Sequence, residues 1–291
     1  MAPELGSEGT ATTLSPYRIT DKEFETIRRL VKEKTGISLG LHKKDLVVSR
    51  LARRLRDLRL GSFREYIALL EGAGGAEEMV HMINRITTNK TDFFREKHHF
   101  DLLAETLLPE LYQQGEASGQ RRLRAWSAGC SSGEEPYTIA MVVADFFARR
   151  PGWDIKILAT DLDTSMLQKA SRGLYEARLM EPVPPRMLSR YFRRVQQNGE
   201  EFYQVKEELR RMITFRKFNL MRPEYPLKVA LDFVFCRNVL IYFDSEDKVA
   251  VVTRFHRVIK PGGYLFVGHS ESLMMVKHLF RHAGPTIYRR Q

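Results

Sequence analysis

Apolar positions in the first third of the chain recur every three to four residues, the period that lines one face of an α-helix. Helices are expected near residues 20–35, 43–59, 62–71 and 75–87, forming a compact all-α module over 17–87. Thr20 with Glu23, and Ser62 with Glu65, have capping-box spacing, in which side chain and backbone satisfy each other at a helix start. Gly36 and Gly61 are expected as C-terminal stops. A connecting stretch over 88–120 carries a further helix near 98–114, stopped at Gly115.

From Leu123 the texture changes to short apolar runs alternating with helical stretches. Strands are expected at Leu123–Ala128, Ile155–Thr160, Ile213–Phe218, Leu231–Cys236 and Tyr264–Gly268, with Thr286–Tyr288 as an edge. Helices are expected near 134–149, 163–172, 246–259 and 271–280. This alternation defines an α/β class over 121–291, a mostly parallel sheet covered on both faces. One segment, 175–212, breaks the rhythm with Pro182, Pro184 and Pro185, followed by YFRRVQQNGEEFYQV. Asn198-Gly199 between two alternating runs signals a tight hairpin, so a small antiparallel β subdomain is expected as an insertion.

Composition narrows the class. The 291 residues can bury a sizeable core. The best apolar run, Ile139–Ala148, is broken by Asp145 and falls short of the ~20 residues of a membrane span. Residues 1–16 are rich in Ser, Thr, Gly and Pro and lack the regions of a signal peptide, so they are expected to be a disordered tail. Cys130 and Cys236 are too few and too far apart for a disulfide framework and suit small buried positions. A cytoplasmic chain is expected. His98, His99, His278 and His282 lack a further ligand at metal spacing, and no metal is expected.

A net charge of +11 admits nucleic acid, an anionic membrane face or an acidic protein as partner. Much of it sits on 43–59, where Lys43, Lys44, Arg50, Arg53, Arg54, Arg56 and Arg59 face only Asp45 and Asp57 beside an apolar stripe of Val47, Leu51, Leu55 and Leu58. A solvated helix face explains such a run, and so does a docking surface. The helix has no aromatic stacking group, which favours an acidic protein over nucleic acid.

The chemistry centres on LRAWSAGCSSGEEPYTIA, 123–140, a strand entering a turn of small residues and leaving as a helix. Such a turn lets backbone amides approach a ligand. It is neither a dinucleotide fingerprint nor a P-loop. Asp161 follows the second strand, where a carboxylate can accept from both hydroxyls of a ribose; a helix cap is the plainer role for it. Lys260-Pro-Gly-Gly263 turns the chain into the last main strand. In that order these features resemble the class I S-adenosylmethionine-dependent methyltransferase fold, which is Rossmann-like.

Six motifs sharpen the resemblance: TTNKTDFFRE (87–96), SAGCSSGEEPYTIA (127–140), ATDLD (159–163), FNL (218–220), FCRNVLIYF (235–243) and LFVGHSES (265–272). Together they are similar to the chemotaxis receptor glutamate methyltransferases, the CheR family, from about Asp21 to the C-terminus. The resemblance implies methyl transfer from S-adenosylmethionine to a receptor glutamate, giving a methyl ester and S-adenosylhomocysteine. It implies Arg95 and Tyr242 at the reacting groups, and Asn89, Thr91, Arg95, Glu135, Asp161, Asn219, Leu220, Arg237 and Asn238 around the cofactor. Glu134 adjoins Glu135, and only the motif selects between them. Asp163 and Asp232 are read as structural, and His269 has no assigned part. Arg50, Arg53 and Arg56 would dock on the helical cytoplasmic region of the chemoreceptor. The inserted hairpin grips a receptor peptide in some members; its compact QQNGEE loop suits an enzyme that does not need that tether. A monomer is expected, with no nucleic acid and no membrane insertion. The alternatives are a nucleic-acid methyltransferase of the same fold, and a receptor-binding module without activity.

Overall fold

The computed structural model describes residues 17–291, so the tail expected over 1–16 lies outside the described residues. These residues form two units, the chain through Leu30 with Leu39–Ile86, and Val31–Ser38 with Thr87–Gln291. The first unit is helical, with α1 (Asp21–Thr35), whose last turn belongs to the second unit, α2 (Lys44–Asp57), α3 (Phe63–Glu71) and α4 (Gly75–Ile86). Both capping boxes form. Thr20 N–H donates to Glu23 at 2.8 Å, and Glu65 N–H donates to Ser62 Oγ at 3.3 Å. Gly36 ends α1 with a φ of +78°. Gly61 does not end α2; the left-handed residue there is Arg59, and Gly61 N–H instead donates to Glu65, at the start of α3.

Val47, Leu51 and Leu55 of α2 are buried with Phe63, Tyr66, Met79 and Met82. Arg54 turns inward from the same helix and grips the buried Glu78 through Nε (3.0 and 3.1 Å) and Nη2 (2.5 Å). Tyr66 Oη donates to the same carboxylate at 2.7 Å. Burial would push the Glu78 carboxyl up, but the Arg54 and Tyr66 hydrogen bonds outweigh it and hold it below its usual range.

The second unit begins its own elements with α5 (His98–Leu102), a π turn over Leu103–Leu107, and α6 (Leu108–Ser118). Pro109 has no N–H to give the helical ladder, and the turn before it widens. The helix passes Gly115, where a Cβ would lie 2.3 Å from the Trp153 ring, and ends at Gly119 with φ +70°. Gly115 thus serves close approach and not termination. There follow β1 (Arg122–Ala128), α7 (Glu134–Phe147), β2 (Asp154–Asp161), α8 (Thr164–Arg172), β3 (Leu174–Glu176), α9 (Pro185–Tyr191), β4 (Phe192–Gln197), β5 (Glu200–Val205), α10 (Glu207–Arg210), β6 (Ile213–Lys217), β7 (Leu231–Cys236), α11 (Ser245–Val258), β8 (Ile259–Val267), β9 (Phe280–Gly284) and β10 (Ile287–Arg290).

The main sheet has the order β6-β2-β1-β7-β8-β10-β9, parallel through β8 and antiparallel through β10 and β9. Alternate residues of its strands feed two cores. Phe233 and Phe235 join Leu123, Ala125 and Phe266 on one face. Val234 and Cys236 join Trp126, Leu265 and Phe255 on the other. Both faces are therefore covered, as the apolar runs require. The Trp126 indole N–H donates to Thr160 Oγ1 at 2.9 Å, so its polar atom is satisfied inside the core. At the amino ends of the strands Lys260 pairs with Asp232 at 2.5 Å, which explains both as structural. The insertion is the antiparallel sheet β3-β5-β4, with Asn198 and Gly199 at φ +50° and +81° in the β4–β5 turn.

Two further expectations fail. The helix expected over 271–280 is a short 3-10 turn at Met274–Val276 followed by β9. Its apolar periodicity comes from Leu273, Val276 and Phe280, which are buried as loop and strand, while Met274 stays 73% exposed. The strand expected at the edge is β10, which lies inside the sheet because β9 pairs with it.

Glu78→Gln should destabilise the first unit by about 3 kcal/mol, since it breaks a buried pair and leaves Arg54 unmatched. The sign of the pH effect follows from the depressed carboxyl. Its stabilisation is fully present above the ordinary glutamate value of about 4.3 and is lost as pH falls below it. Thermal unfolding at pH 7 and pH 3 should therefore show a smaller acid loss in the variant than in the wild type; equal losses contradict this.

Candidate active site at the carboxyl ends of the strands

In an open parallel sheet the crevice for a ligand lies beyond the carboxyl ends of the strands, where successive connections part to opposite sides. Here that point is between β1 and β7. The turn after β1 is built from backbone bonds: Gly129 and Cys130 N–H both donate to the Thr160 carbonyl, at 2.8 and 2.9 Å. Ser131 and Gly133 have φ of +47° and +100°. A Cβ at Gly133 would lie 2.8 Å from Ala170 Cβ and from Tyr175 Oη, so only glycine lets the turn pass. Tyr175, from β3, donates to the Ser132 carbonyl at 2.8 Å and supports the turn from behind.

Asp161 closes the turn against β2. Its Oδ2 accepts from Ser131 N–H at 2.8 Å and its Oδ1 from Asp163 N–H at 2.9 Å. Burial pushes its carboxyl up against the pull of these two amides. The Leu162 amide adds to the same pull, and a carboxylate with about four lone-pair directions still has one for a ligand hydroxyl. The helix-capping role belongs to Asp163, whose Oδ1 accepts from Ser165 N–H at 2.9 Å and Met166 N–H at 3.2 Å.

Beside the turn lies a buried ionic cluster. Ser127 Oγ donates to Glu135 Oε1 at 2.6 Å, and Arg237 Nη1 stands 3.5 Å from Glu135 Oε2. The same guanidinium stands 3.6 Å from Glu96 Oε2, donates to the Arg95 carbonyl, and faces the rings of Phe100 and Phe235. Glu96 Oε2 is 3.5 Å from His99 Nδ1, and the other nitrogen of that ring is 2.8 Å from Thr286 Oγ1. Burial, reinforced by Arg237, pushes the His99 imidazole down to about 3, so it is neutral. Burial pushes Glu135 up, opposed by Arg237 and Ser127. Glu96 and Ser127 were not singled out by sequence reasoning, and His99 was read there only as a histidine without metal partners, whereas it is buried; Glu96 stands in the TTNKTDFFRE motif, but nothing in its spacing marks it as buried.

Arg95 is flanked by two residues in the left-handed region, Phe94 at +54° and Glu96 at +56°. Such backbone costs of order 1–3 kcal/mol per residue and persists where the surroundings enforce it. Here Arg237 holds the Arg95 carbonyl, and Thr138 Oγ1 accepts Phe94 N–H at 3.3 Å. The Arg95 side chain is half-buried, with Nη1 on the Lys90 carbonyl at 2.9 Å.

The remaining expected residues fall around this centre in different ways. Asn89 gives its amide to Asp163 at 2.7 Å, and its carbonyl accepts from Ser131 Oγ at 3.0 Å. Thr91 is half-buried in the same stretch. Asn219 donates to the Lys34 carbonyl at 2.9 Å and accepts from Met221 N–H. Leu220 is buried, and its carbonyl accepts from Tyr225 Oη at 2.8 Å. Asn238 adopts φ +58° just after Arg237, and the half-buried Tyr242 follows in a 3-10 turn. In the first unit Arg53 and Arg56 are exposed on α2, whereas Arg50 is half-buried and gives its guanidinium to the Ile86 carbonyl. Cys130 and Cys236 are buried, and burial raises both thiols well above their ordinary range. Among the described residues no group of His, Cys, Asp or Glu could hold a metal ion.

Two family models match the chain, the CheR methyltransferase all-alpha domain over residues 22–87 and the CheR methyltransferase SAM binding domain over residues 89–289. A probable chemotaxis protein methyltransferase of Rhizobium etli is 41% identical over 261 residues, covering 89% of this chain and 96% of that protein. The chemotaxis protein methyltransferase of Escherichia coli is 41% identical over 271 residues, covering 93% and 91%. That of Borreliella burgdorferi is 38% identical over 273 residues, covering 94% and 95%. With both domains matched in order and relatives aligned along nearly their whole length, the chain belongs to the CheR methyltransferase family, an all-α domain followed by an S-adenosylmethionine-binding domain.

Proposed function

We infer that this chain is a protein-glutamate O-methyltransferase that transfers a methyl group from S-adenosylmethionine to glutamate side chains of chemoreceptors. The observation that carries this reading is the match of both domains to chemotaxis protein methyltransferases at 41% identity. The nucleic-acid alternative gains no support from these relatives, and an inactive module is disfavoured by the presence of Arg95, Glu135, Asp161 and Tyr242 together. In this reading the chain works in the cytoplasm as a monomer. Among the described residues no helix is long and apolar enough to cross a membrane.

The strand ends suit this cofactor. Asp161 is oriented by backbone amides with a lone-pair direction left for a ribose hydroxyl. Glu96, Glu135 and Asp161 outnumber Arg95 and Arg237 at the site, which favours a ligand bearing positive charge. Thr91, Glu135, Leu220, Arg237 and Asn238 then line the cofactor. Asn89 and Asn219 already spend their amides on Asp163 and the Lys34 carbonyl, which supports a part in shaping the wall. The cofactor supplies an electrophilic methyl group on a sulfonium. The acceptor carboxylate is ionised at neutral pH and needs no base. What the protein has to do is align and desolvate the two groups. Arg95 would present a guanidinium fork to the acceptor carboxylate, and Tyr242 would orient its attacking oxygen. Residues 88–120, which carry Arg95, link in sequence a receptor-facing module, 17–87, to the cofactor domain, 121–291; the 175–212 insertion is not needed as a tether. Docking on the helical region of the receptor falls to Arg53 and Arg56, since Arg50 is engaged by its own module.

Incubation with methyl-labelled cofactor and receptor cytoplasmic fragments should transfer label that mild base releases, as an ester requires; label in RNA and none in receptor would contradict the reading. Arg95→Ala should lower kcat by roughly 100-fold, the scale of lost positioning. Asp161→Ala should weaken S-adenosylhomocysteine binding by about 10- to 100-fold, as loss of a charge-assisted hydrogen bond does. Because burial raises the Asp161 and Glu135 carboxyls, that affinity should begin to fall while pH is still above the ordinary range near 4. A calorimetric titration that is flat down to pH 4 would contradict this. Reversing Arg53 and Arg56 to Glu should raise the KM for receptor while leaving S-adenosylhomocysteine affinity unchanged; unaltered receptor kinetics would remove α2 as the docking face.

A further inference from the structure

Glu271 lies in the stretch after β8 where the sequence pattern points to a helix, and the chain there is loop. Its side chain is nonetheless buried, with the residue only 5% exposed. The carboxylate is used entirely on backbone: Oε2 accepts from Gly268 N–H at 2.5 Å and from Asn238 N–H at 2.8 Å, and Oε1 accepts from Ile241 N–H at 3.2 Å. One side chain from beyond β8 thus fastens both ends of the loop that leaves β7. That loop carries Arg237, Asn238 and Tyr242.

The loop needs fastening. Asn238 sits at φ +58°, left-handed backbone that asparagine tolerates better than most L-residues and that the bond from its N–H to Glu271 holds in place. Tyr242 hangs from the same bonds: its N–H donates to the Val239 carbonyl at 3.1 Å, one residue on from the Ile241 amide that Glu271 Oε1 holds. Gly268 completes the arrangement, because a Cβ there would lie 2.8 Å from Asn238 N and 2.4 Å from its amide nitrogen. The end of β8 is therefore shaped to receive this loop, and a buried carboxylate matched to amides is a costly way to build a mere turn.

We propose that Glu271 is a positioning residue for methyl transfer, tying the Arg237–Tyr242 loop to the end of β8 so that Tyr242 is aimed at the acceptor and Asn238 at the cofactor. This rests on the methyltransferase reading above. It acts through the loop and touches neither reactant.

Two variants disturb the loop by different routes. Glu271→Gln keeps the shape but replaces one acceptor by a donor. Gly268→Ala pushes on Asn238 and leaves the carboxylate in place, so it serves even if the first variant folds poorly. In either, amide hydrogen exchange at Asn238 and Ile241 should speed up at least 10-fold, and kcat for methyl transfer should fall about 10- to 100-fold, the scale of a misplaced catalytic group. Adding Tyr242→Phe to Glu271→Gln should cost less than twofold more, because both changes remove the same orientation. Unchanged exchange, faster exchange with kcat within twofold of wild type, fully multiplying effects, or a silent Tyr242→Phe would each overturn the proposal. A wild-type protein that transfers no methyl group would instead sink the activity. The role of Glu271 is then decided by exchange and by S-adenosylhomocysteine affinity, which should fall about 10-fold in Glu271→Gln and would refute the role if unchanged.

Discussion

The site depends on one buried guanidinium. Arg237, at the end of the central strand β7, faces Glu135 from α7 and Glu96 from the connector, and it holds the Arg95 carbonyl. Two carboxylates and a neutral imidazole packed in this interior without it would carry an uncompensated desolvation cost. With it, three segments distant in sequence are fixed around the strand end. The left-handed backbone on both sides of Arg95 is part of the same arrangement, since the carbonyl between them is the one Arg237 grips.

Around that centre one device repeats. Asp161 accepts Ser131 and Asp163 amides, Asp163 caps α8, and Glu271 accepts the amides of Asn238, Ile241 and Gly268. Each is an acid whose oxygens fix loop backbone at a strand end, where the ladder no longer satisfies it. Such a frame suits a reaction whose nucleophile is already ionised and whose barrier is lowered by alignment and removal of water.

Much of this was legible in the sequence, and the failures have physical causes. The α/β alternation, the capping boxes and the Asn198-Gly199 hairpin depend on local patterns, and the structure has them. The turn after β1 and the acid after β2 were visible because strand ends are marked by small and acidic residues. The helix expected over 271–280 was wrong because periodicity cannot distinguish a buried loop and edge strand from an amphipathic helix. Gly115 and Gly61 misled in the same way: glycine marks a termination or a close approach, and only the neighbour, Trp153 in the first case, decides. The burial of Glu96, His99, Glu271 and the Arg54–Glu78 pair was not legible because a polar or charged residue in a sequence reads as solvent-facing, and only long-range packing buries it.

In the proposed reaction two charged groups are held in line, and no residue acts as a base. The most direct test is the pH dependence of single-turnover transfer from bound cofactor to a receptor fragment. A rate constant that is flat from about pH 6.5 to about pH 9 is predicted, because the acceptor carboxylate is ionised throughout that range. A rate constant that rises with pH through a single ionisation near neutrality would reveal a general base and contradict it.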